Sequence, residues 1–211
     1  MDHQFTKDYF FGKKLSNYKN YNLWDNSYYW KDVIKYVKKN NLSGKILDVG
    51  CAFGFMLKRI KPYFNQVYGI DISEFAIDQA RKNTPTGIFN VINLNKEELP
   101  FPDNFFDFVT AFDVLEHTDD VKKSLNKITS KIKNGGQLMF SMPLKNTWAG
   151  KIFSWFDKDV THVSILEEND LLKIVKECDL KIIKKGYYFN ALYFKIRGIP
   201  VDIEIVCEKN K

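Results

Sequence analysis

A glycine-bearing turn between a buried strand and a helix, at residues 46–57, constrains this chain more than any other feature. The strand at residues 46–49 is an apolar run that carries one acid, Asp48, and it leads into Gly50 and Gly54. An apolar stretch with helical spacing follows these glycines. Glycine lets a ligand approach the backbone closely, and the first turn of a helix offers free N–H groups. The stretch therefore predicts a ligand site at the end of a buried strand.

The spacing of the two glycines narrows the ligand class. Gly-x-x-x-Gly differs from the Gly-x-Gly-x-x-Gly pattern of dinucleotide sites, and no Gly-Lys-Ser/Thr element for a triphosphate is present. A dinucleotide oxidoreductase is thus disfavoured. The remaining structural alternative is a tight turn that binds no ligand.

Composition excludes several other classes. With 45% hydrophobic and 16% aromatic residues, the 211-residue chain can bury the core of one domain. No apolar run approaches the length of a membrane span, so no membrane partner is expected. Cys51, Cys178 and Cys207 are scattered and form no metal-like pattern with the histidines. A reduced, cytoplasmic setting and no metal are predicted.

The net charge of +6 is a weak argument for a nucleic-acid partner. Among the 32 basic residues, only Arg59, Arg81 and Arg197 are arginines. Arginine is the side chain that best matches phosphates and base edges, whereas lysines commonly cover solvated helix faces. A nucleic-acid partner is therefore disfavoured.

The hydrophobic pattern alternates between strands and helices as far as residue 142. Strands are predicted at 46–49, 66–71, 88–93, 106–112 and 137–142, with closing strands at 180–189 and 200–207. Such alternation predicts an α/β fold with a doubly wound parallel sheet. Residues 144–163 are irregular and aromatic, and Ser164 with Glu167 has the pattern of a capping box for a helix ending at Glu177.

Several residues with binding chemistry fall where predicted strands end. In doubly wound sheets, ligands bind at the carboxyl ends of the strands, where the strand order reverses. One shared site is therefore expected to include Asp48, Gly50, Asp71, Asn93 and Phe112.

Five motifs occur in order at suitable intervals, and together they are much more specific than any one of them. They are residues 46–54, Gly69-Ile70-Asp71-Ile72-Ser73, residues 99–104, residues 106–109 and Val114-Leu115-Glu116-His117. The set resembles class I S-adenosylmethionine-dependent methyltransferases of the type 11 and type 23 groups, over residues 30–180. The resemblance implies S-adenosyl-L-methionine as cofactor. It also implies a Rossmann-like sheet of seven mostly parallel strands, with the last strand antiparallel.

The resemblance also implies roles for individual residues. Asp71 is expected to accept both ribose hydroxyls, because a carboxylate suits a vicinal diol. Ile72 is expected to pack on the adenine, with Asn93 and Leu94 at its edge. The other cofactor-binding residues are expected along the methionine part (Asp48, Gly50, Cys51, Ala52 and Gly54) and beneath the ribose and sulfonium (Phe112, Asp113 and Val114).

Two positions depart from the usual pattern of the family. Ala52 stands where glycine is usual, which is tolerated if its φ is negative. Asn93 stands where aspartate is usual, or Asn95 if the loop register differs by two. An asparagine can still accept a hydrogen bond from the adenine amino group.

The sequence predicts methyl transfer to a small-molecule acceptor by in-line displacement at the sulfonium methyl. His162 is the first candidate for a general base, followed by His117 and an N-terminal tyrosine. Either histidine can equally have a structural role. Four aromatic residues can line an acceptor pocket or form a satellite core: Trp148, Phe153, Trp155 and Phe156.

Two alternatives remain open for the function. One is methylation of RNA or protein, although residues 111–114 lack the Asn/Asp-Pro-Pro-aromatic pattern of enzymes that methylate exocyclic base amines. The other is a cofactor-binding module without turnover. The oligomeric state is left open.

The first 29 residues are predicted to form an aromatic lid over the methyltransferase domain at 30–211. Tyr18 and Tyr21 are expected to cover the bound cofactor, because a sheet-end site is open on one side. The alternative is a helix that stays packed on the sheet.

Overall fold

A computed structural model describes residues 5–12, 18–26, 29–153, 159, 161–191 and 194–211. In these residues one sheet of eight strands has the order β3-β2-β1-β4-β5-β8-β6-β7. The strands are β1 (Lys45–Val49), β2 (Gln66–Asp71), β3 (Ile88–Val91), β4 (Phe106–Phe112), β5 (Ile132–Pro143), β6 (Leu180–Ala191), β7 (Phe194–Arg197) and β8 (Asp202–Lys209).

The helices lie mainly between the parallel strands. They are α1 (Lys7–Phe10), α2 (Tyr29–Lys39), α3 (Phe55–Ile60), α4 (Glu74–Asn83), α5 (Val121–Lys131), α6 (Trp148–Phe153) and α7 (Glu168–Glu177). Short 3-10 turns occur at Tyr21–Asn26, Lys61–Tyr63 and Leu115–His117.

The strand directions confirm the predicted α/β fold. Strands β1 to β5 pair in parallel, and the last strand, β8, lies antiparallel between β5 and β6. The predicted number of seven strands is wrong, because β7 forms an antiparallel hairpin with β6. The residues between these two strands contain none of the Asn-Gly or Asp-Gly pairs that usually indicate a hairpin.

Both faces of the sheet are covered. One face packs on α2, α3 and α4, and the other packs on α5 and α7. Consecutive residues of β4, such as Phe108 and Val109, are therefore both fully buried. Burial on both faces is the reason why the parallel strands are continuous apolar runs.

The predicted start of α7 is wrong. Its N-cap is Glu167, which makes no side-chain capping bond, and Ser164 lies outside the helix. The preceding residues are instead held in extended backbone, since Leu166 bridges Leu144 and its carbonyl accepts the N–H of Lys145 at 2.8 Å. Pairing with a second segment thus overrides a local capping pattern.

The segment at 144–163 is more regular than predicted, because α6 lies within it. Trp155 and Phe156 fall outside the described residues. Trp148 is 65% exposed. No described helix is both long enough and apolar enough to cross a membrane.

The described part of the N-terminal segment packs on the loop that leads from β1 into α3. Tyr9, Phe10 and Tyr21 are buried, and the rings of Phe10 and Tyr21 lie 5.0 and 4.9 Å from that of Phe53. Residues 1–4, 13–17 and 27–28 of the predicted lid are outside the described residues. Opening and closing of this segment stays a prediction.

Candidate active site

A cavity lies at the carboxyl ends of β1, β2 and β4, where the strand order reverses between β1 and β4. Most of the residues predicted for the site line it. They are Asp48, Gly50, Cys51, Ala52, Asp71, Ile72, Asn93, Leu94, Phe112, Asp113, Val114, His117, Tyr18 and Tyr21. The fold thus brings together residues from every strand end at which the sequence analysis predicted a binding residue.

The turn after β1 is fastened to the end of β2. The N–H groups of Gly50 and Cys51 both donate to the carbonyl of Ile70, at 2.8 and 2.9 Å. Gly50 has φ +72°, and its α-carbon approaches Val114 so closely that an added Cβ would lie 2.3 Å from Val114 Cγ2. Glycine at this position allows the turn to pass directly over the end of β4.

Gly54, which the resemblance places along the methionine part of the cofactor, lies at the start of α3. It is the N-cap of α3 with φ +70°, and an added Cβ would lie 3.1 Å from Ala80 Cβ. It is not among the residues lining the cavity. Its position lets α3 pack closely on α4.

Ala52 has a φ of +45°, so the condition that its φ be negative is not met. An L-residue in the left-handed region is strained by about 1–2 kcal/mol. The N–H of Ala52 donates to Asp71 Oδ2 at 2.9 Å, which holds the residue in this conformation. The bond to Asp71 offsets the local strain.

We expect Ala52→Gly to raise the free energy of unfolding by about 0.5–1 kcal/mol, because relief of strain exceeds the added chain entropy. Urea unfolding of the full chain measures this. Ala76→Gly, at a buried position in α4, is the control and should lower stability by about 1 kcal/mol. Equal losses in both variants would contradict the strain at Ala52.

Asp71 is the buried acid at the end of β2. Its Oδ2 accepts the N–H of Ala52, and its Oδ1 accepts the N–H of Ser73, each at 2.9 Å. Burial raises the pKa of this carboxyl to about 6, although these backbone bonds act in the opposite direction. Each oxygen has a second lone pair that can accept a ligand hydroxyl. Asp71 is thus both an organiser of the turn and a potential ligand-binding group.

Asp48 supplies a second buried carboxyl at the end of β1. Its Oδ1 accepts the hydroxyl of Thr110 at 2.7 Å. Burial raises its pKa to about 7, and the charge of Asp71 acts in the same direction. Two acids that face one cavity are favourable for a ligand that carries positive charge.

The loop after β3 is organised by two asparagines and a buried lysine. Asn93 Oδ1 accepts the N–H of Asn95 at 3.0 Å, and Asn95 Oδ1 accepts the N–H of Asp119 at 2.9 Å. Lys127 Nζ donates to the carbonyls of Leu94 and Glu97, at 3.1 and 2.6 Å. Both asparagines line the cavity, and Lys127 fixes the loop from outside it.

The end of β4 bends sharply at Asp113. This residue has φ +53°, and its Oδ1 accepts the hydroxyl of Ser141 at 2.7 Å. The bend brings Phe112, Asp113 and Val114 to the cavity.

One histidine lines the cavity and the second lies behind it. Nδ1 of His117 is 3.1 Å from the carbonyl oxygen of Thr161 and 2.9 Å from Oγ1 of the same residue, whose hydroxyl donates to Asp159 Oδ1. Both oxygens of Thr161 therefore accept, so Nδ1 is the protonated nitrogen. Burial lowers the pKa of His117, and a charge on His162 would lower it further. The two rings have centroids 5.0 Å apart. His162 itself is not among the lining residues.

Glu116 was not predicted as a site residue. Its side chain is 1% exposed, and burial raises the pKa of its carboxyl well above the usual range. Its backbone carbonyl accepts the N–H groups of Val163 and Ser164, at 2.9 and 3.0 Å. The adjacent Glu116-His117 pair was the available signal, but the sequence does not reveal that His162 returns to it.

The N-terminal aromatic residues form the opposite wall of the cavity. Tyr18 and Tyr21 make an edge-to-face pair at 4.8 Å, and burial raises the pKa of both hydroxyls. Tyr9 donates to Asp159 Oδ2 at 2.7 Å, which joins this wall to the segment carrying His162. The cavity is consequently bordered by ring faces and hydroxyls.

These features fit S-adenosyl-L-methionine. Its ribose hydroxyls suit the remaining lone pairs of Asp71, and its ammonium and sulfonium charges suit a cavity with two buried carboxyls.

Comparison with known proteins gives the family. The sequence profile described as "Methyltransferase domain" matches residues 21–185. The protein MJ1123 of Methanocaldococcus jannaschii is 30% identical over 78% of this chain and 78% of its own length. Ubiquinone biosynthesis O-methyltransferase of Coxiella burnetii is 31% identical over 54% of this chain. The matched region covers 50% of the length of that enzyme.

Solved structures agree on the fold. Magnesium protoporphyrin IX methyltransferase from Synechocystis, solved with bound S-adenosylhomocysteine, superposes with a TM-score of 0.66 at 17% identity. The superposition covers 86% of this chain and 82% of that one. With a family profile that matches most of its length, the chain belongs to the methyltransferase domain family and is an S-adenosyl-L-methionine-dependent methyltransferase.

Proposed function

We propose that this enzyme methylates a small molecule within the aromatic cavity. The observation that carries the proposal is that aromatic side chains of the N-terminal segment, among them Tyr9, Tyr18 and Tyr21, line the cavity together with His117. A concave site that combines aromatic side chains with placed polar groups is typical of small-molecule sites. Two similar proteins are named for the small molecules ubiquinone and magnesium protoporphyrin IX, which supports the same acceptor class.

In this proposal the strand ends hold the cofactor. Asp71 accepts the ribose hydroxyls, and Ile72, Asn93 and Leu94 border the adenine. The turn at 50–52 and Asp48 lie along the methionine part. These assignments are supported by the shared cavity, which all of these residues line.

The chain accelerates the reaction mainly by alignment and exclusion of water. When bound, the cofactor supplies a methyl carbon that is already activated by the sulfonium. Phe112 and Val114 border this position from the sheet, and Tyr18 borders it from the N-terminal wall. Holding two reactants in line supplies a large part of the rate enhancement in such transfers.

His117 is the group best placed to receive a proton from the acceptor. Because its Nδ1 donates to Thr161, the neutral ring has its lone pair on Nε2. The lowered pKa keeps this ring neutral near pH 7, as a base requires. His162, the first candidate from the sequence, is half-buried behind His117 and supports its position.

Turnover with acceptor classes tests the proposal. Purified, nuclease-treated enzyme is incubated with labelled cofactor and three substrate pools, namely metabolite extracts, tRNA and protein. Methylation of the metabolite pool is expected. Label only in tRNA or protein, or binding of cofactor without transfer to any pool, would contradict the proposed acceptor.

The N-terminal wall is proposed to act as a lid, since Tyr9, Phe5 and Tyr18 reach the cavity from outside the sheet. We expect S-adenosylhomocysteine to increase hydrogen-exchange protection across residues 9–24. Peptides from α7, which contributes no residue to the lining of the cavity, serve as the control. Full protection of residues 9–24 in the free chain would instead indicate a permanently packed segment.

Removal of a single oxygen atom tests the contact between the N-terminal wall and the segment that carries His162. Tyr9→Phe removes only the hydroxyl that donates to Asp159. Turnover is expected to fall about tenfold, the usual effect of losing one hydrogen bond to a charged group. Tyr63→Phe, outside the cavity, is the control.

A further inference from the structure

Three potential metal ligands meet beside the cavity. Glu116, His117 and His162 each place one ligand atom within 4.8 Å of the others. The first two come from the 3-10 turn Leu115–His117, and the third comes from the segment that follows Thr161. We propose that these three side chains bind a divalent transition cation such as Zn²⁺.

The first support is the unpartnered carboxyl oxygen. Oε2 of Glu116 is fully buried and has no hydrogen-bond partner in the described structure. Of the three buried side-chain atoms in this condition, it is the only one from an acid. A buried polar atom without a partner is costly whether the carboxyl is protonated or ionised. A cation bound to Oε2 removes this cost.

The second support is the orientation of His117. A metal-bound histidine usually donates its other ring N–H to a carbonyl or carboxylate, which fixes the tautomer. Nδ1 of His117 does so, at 3.1 Å from the carbonyl oxygen of Thr161. Thr161 is held in turn by Asp159, whose Oδ1 accepts the N–H of Thr161 at 3.0 Å. The second shell of a metal site is therefore already formed.

The third support is the fixed position of His162. The N–H groups of Val163 and Ser164 both donate to the carbonyl of Glu116, so the backbone next to His162 is tied to the first ligand. Ligand atoms around one tetrahedral zinc ion are about 3.4 Å apart, given bond lengths near 2.1 Å. Rotation of the side chains is enough to close a spread of 4.8 Å.

The donor set favours a transition metal over magnesium. Two imidazoles and one carboxylate suit Zn²⁺ and similar ions, whereas Mg²⁺ prefers oxygen ligands only. Three protein ligands leave coordination positions open. His117 also lines the cavity, so an open position there would bind an acceptor oxygen and lower the pKa of an acceptor hydroxyl. With the cation bound, Nε2 of His117 is a ligand and no longer a base, so the cation would take over the activation of the acceptor. That role rests on the proposed function, whereas binding of the cation does not.

Zinc titration of the full chain tests the site. Protein is freed of metal with a chelator and titrated with ZnCl₂ by calorimetry, without cofactor, and with CoCl₂ by visible absorption. One equivalent of each is expected to bind. Glu116→Gln and His162→Asn should each weaken zinc binding about tenfold or more. Glu98→Gln is the control, because that carboxylate has 78% side-chain exposure.

The outcomes separate this proposal from the function. His162 is half-buried, so His162→Asn decides the question if Glu116→Gln does not fold. No saturable zinc binding, or unchanged binding in His162→Asn, overturns the site. Unchanged binding in His162→Asn would indicate that the cysteines bind the zinc instead. Binding of S-adenosylhomocysteine is measured separately in chelator, so loss of the metal site leaves the cofactor site independently tested.

Discussion

Asp71→Asn is expected to weaken binding of S-adenosylhomocysteine by about 2–4 kcal/mol, or roughly 30- to 1000-fold. In the proposed cofactor site the ionised carboxylate accepts two ribose hydroxyls, and an amide would offer one weaker acceptor in its place. Asparagine is preferred to alanine because both oxygens of Asp71 also accept backbone N–H groups. Calorimetry on the full chain gives the affinity.

A matched control separates the binding effect from a general loss of charge. Asp78→Asn removes an acid with 55% side-chain exposure on α4. This variant should bind S-adenosylhomocysteine as tightly as the parent protein. Unchanged affinity in folded Asp71→Asn would remove Asp71 from the site.

The pKa of Asp71 predicts how the binding of S-adenosylhomocysteine changes with pH. In the free protein, the pKa of Asp71 is raised to about 6. Ribose hydroxyls bind the ionised form better, so affinity should fall as the pH is lowered through 6. This dependence should be reduced in Asp71→Asn.

Gly50→Ala is the substitution expected to cost most stability, about 2–4 kcal/mol in the free energy of unfolding. Left-handed backbone accounts for about 1–2 kcal/mol, and the added Cβ at 2.3 Å from Val114 Cγ2 accounts for the rest. Cofactor binding should also be lost, because the turn at Gly50 lines the cavity.

Gly135→Ala is the control for Gly50→Ala. Gly135 has a similar φ of +75°, but an added Cβ there meets nothing within 4 Å. Its loss should be limited to about 1 kcal/mol. Equal losses of stability in urea unfolding would show that the contact with Val114 has no energetic weight.

The sequence predicted the elements whose patterns are local and strong. The strand predicted at 46–49 lies within one residue of β1, and those predicted at 66–71 and 106–112 have the bounds of β2 and β4. Each of these signals lies within one turn of helix or one strand. The strand ends then converged because a parallel sheet aligns its carboxyl ends.

The errors arise where distant segments decide local structure. Ser164 resembles a cap, but pairing of Leu166 with Leu144 extends the chain there. Ala52 takes a positive φ because Asp71, 19 positions away, accepts its N–H. No local pattern contains this information.

The metal ligands were missed for the same reason. In the sequence, the cysteines and histidines have no spacing that is typical of a metal site. Glu116 and His162 are far apart along the chain and meet only because the backbone at Val163 and Ser164 is bonded to Glu116. Such a cluster becomes visible once the fold is known.

Calorimetric titration of S-adenosylhomocysteine into the full, unmodified chain tests the central claim most directly. A cavity lined by the two buried carboxyls of Asp48 and Asp71 should bind one equivalent saturably. NAD⁺, which shares the adenosine but needs a different glycine spacing, should bind far more weakly. Absence of saturable binding by S-adenosylhomocysteine, or tighter binding of NAD⁺, would contradict the assignment of this cavity.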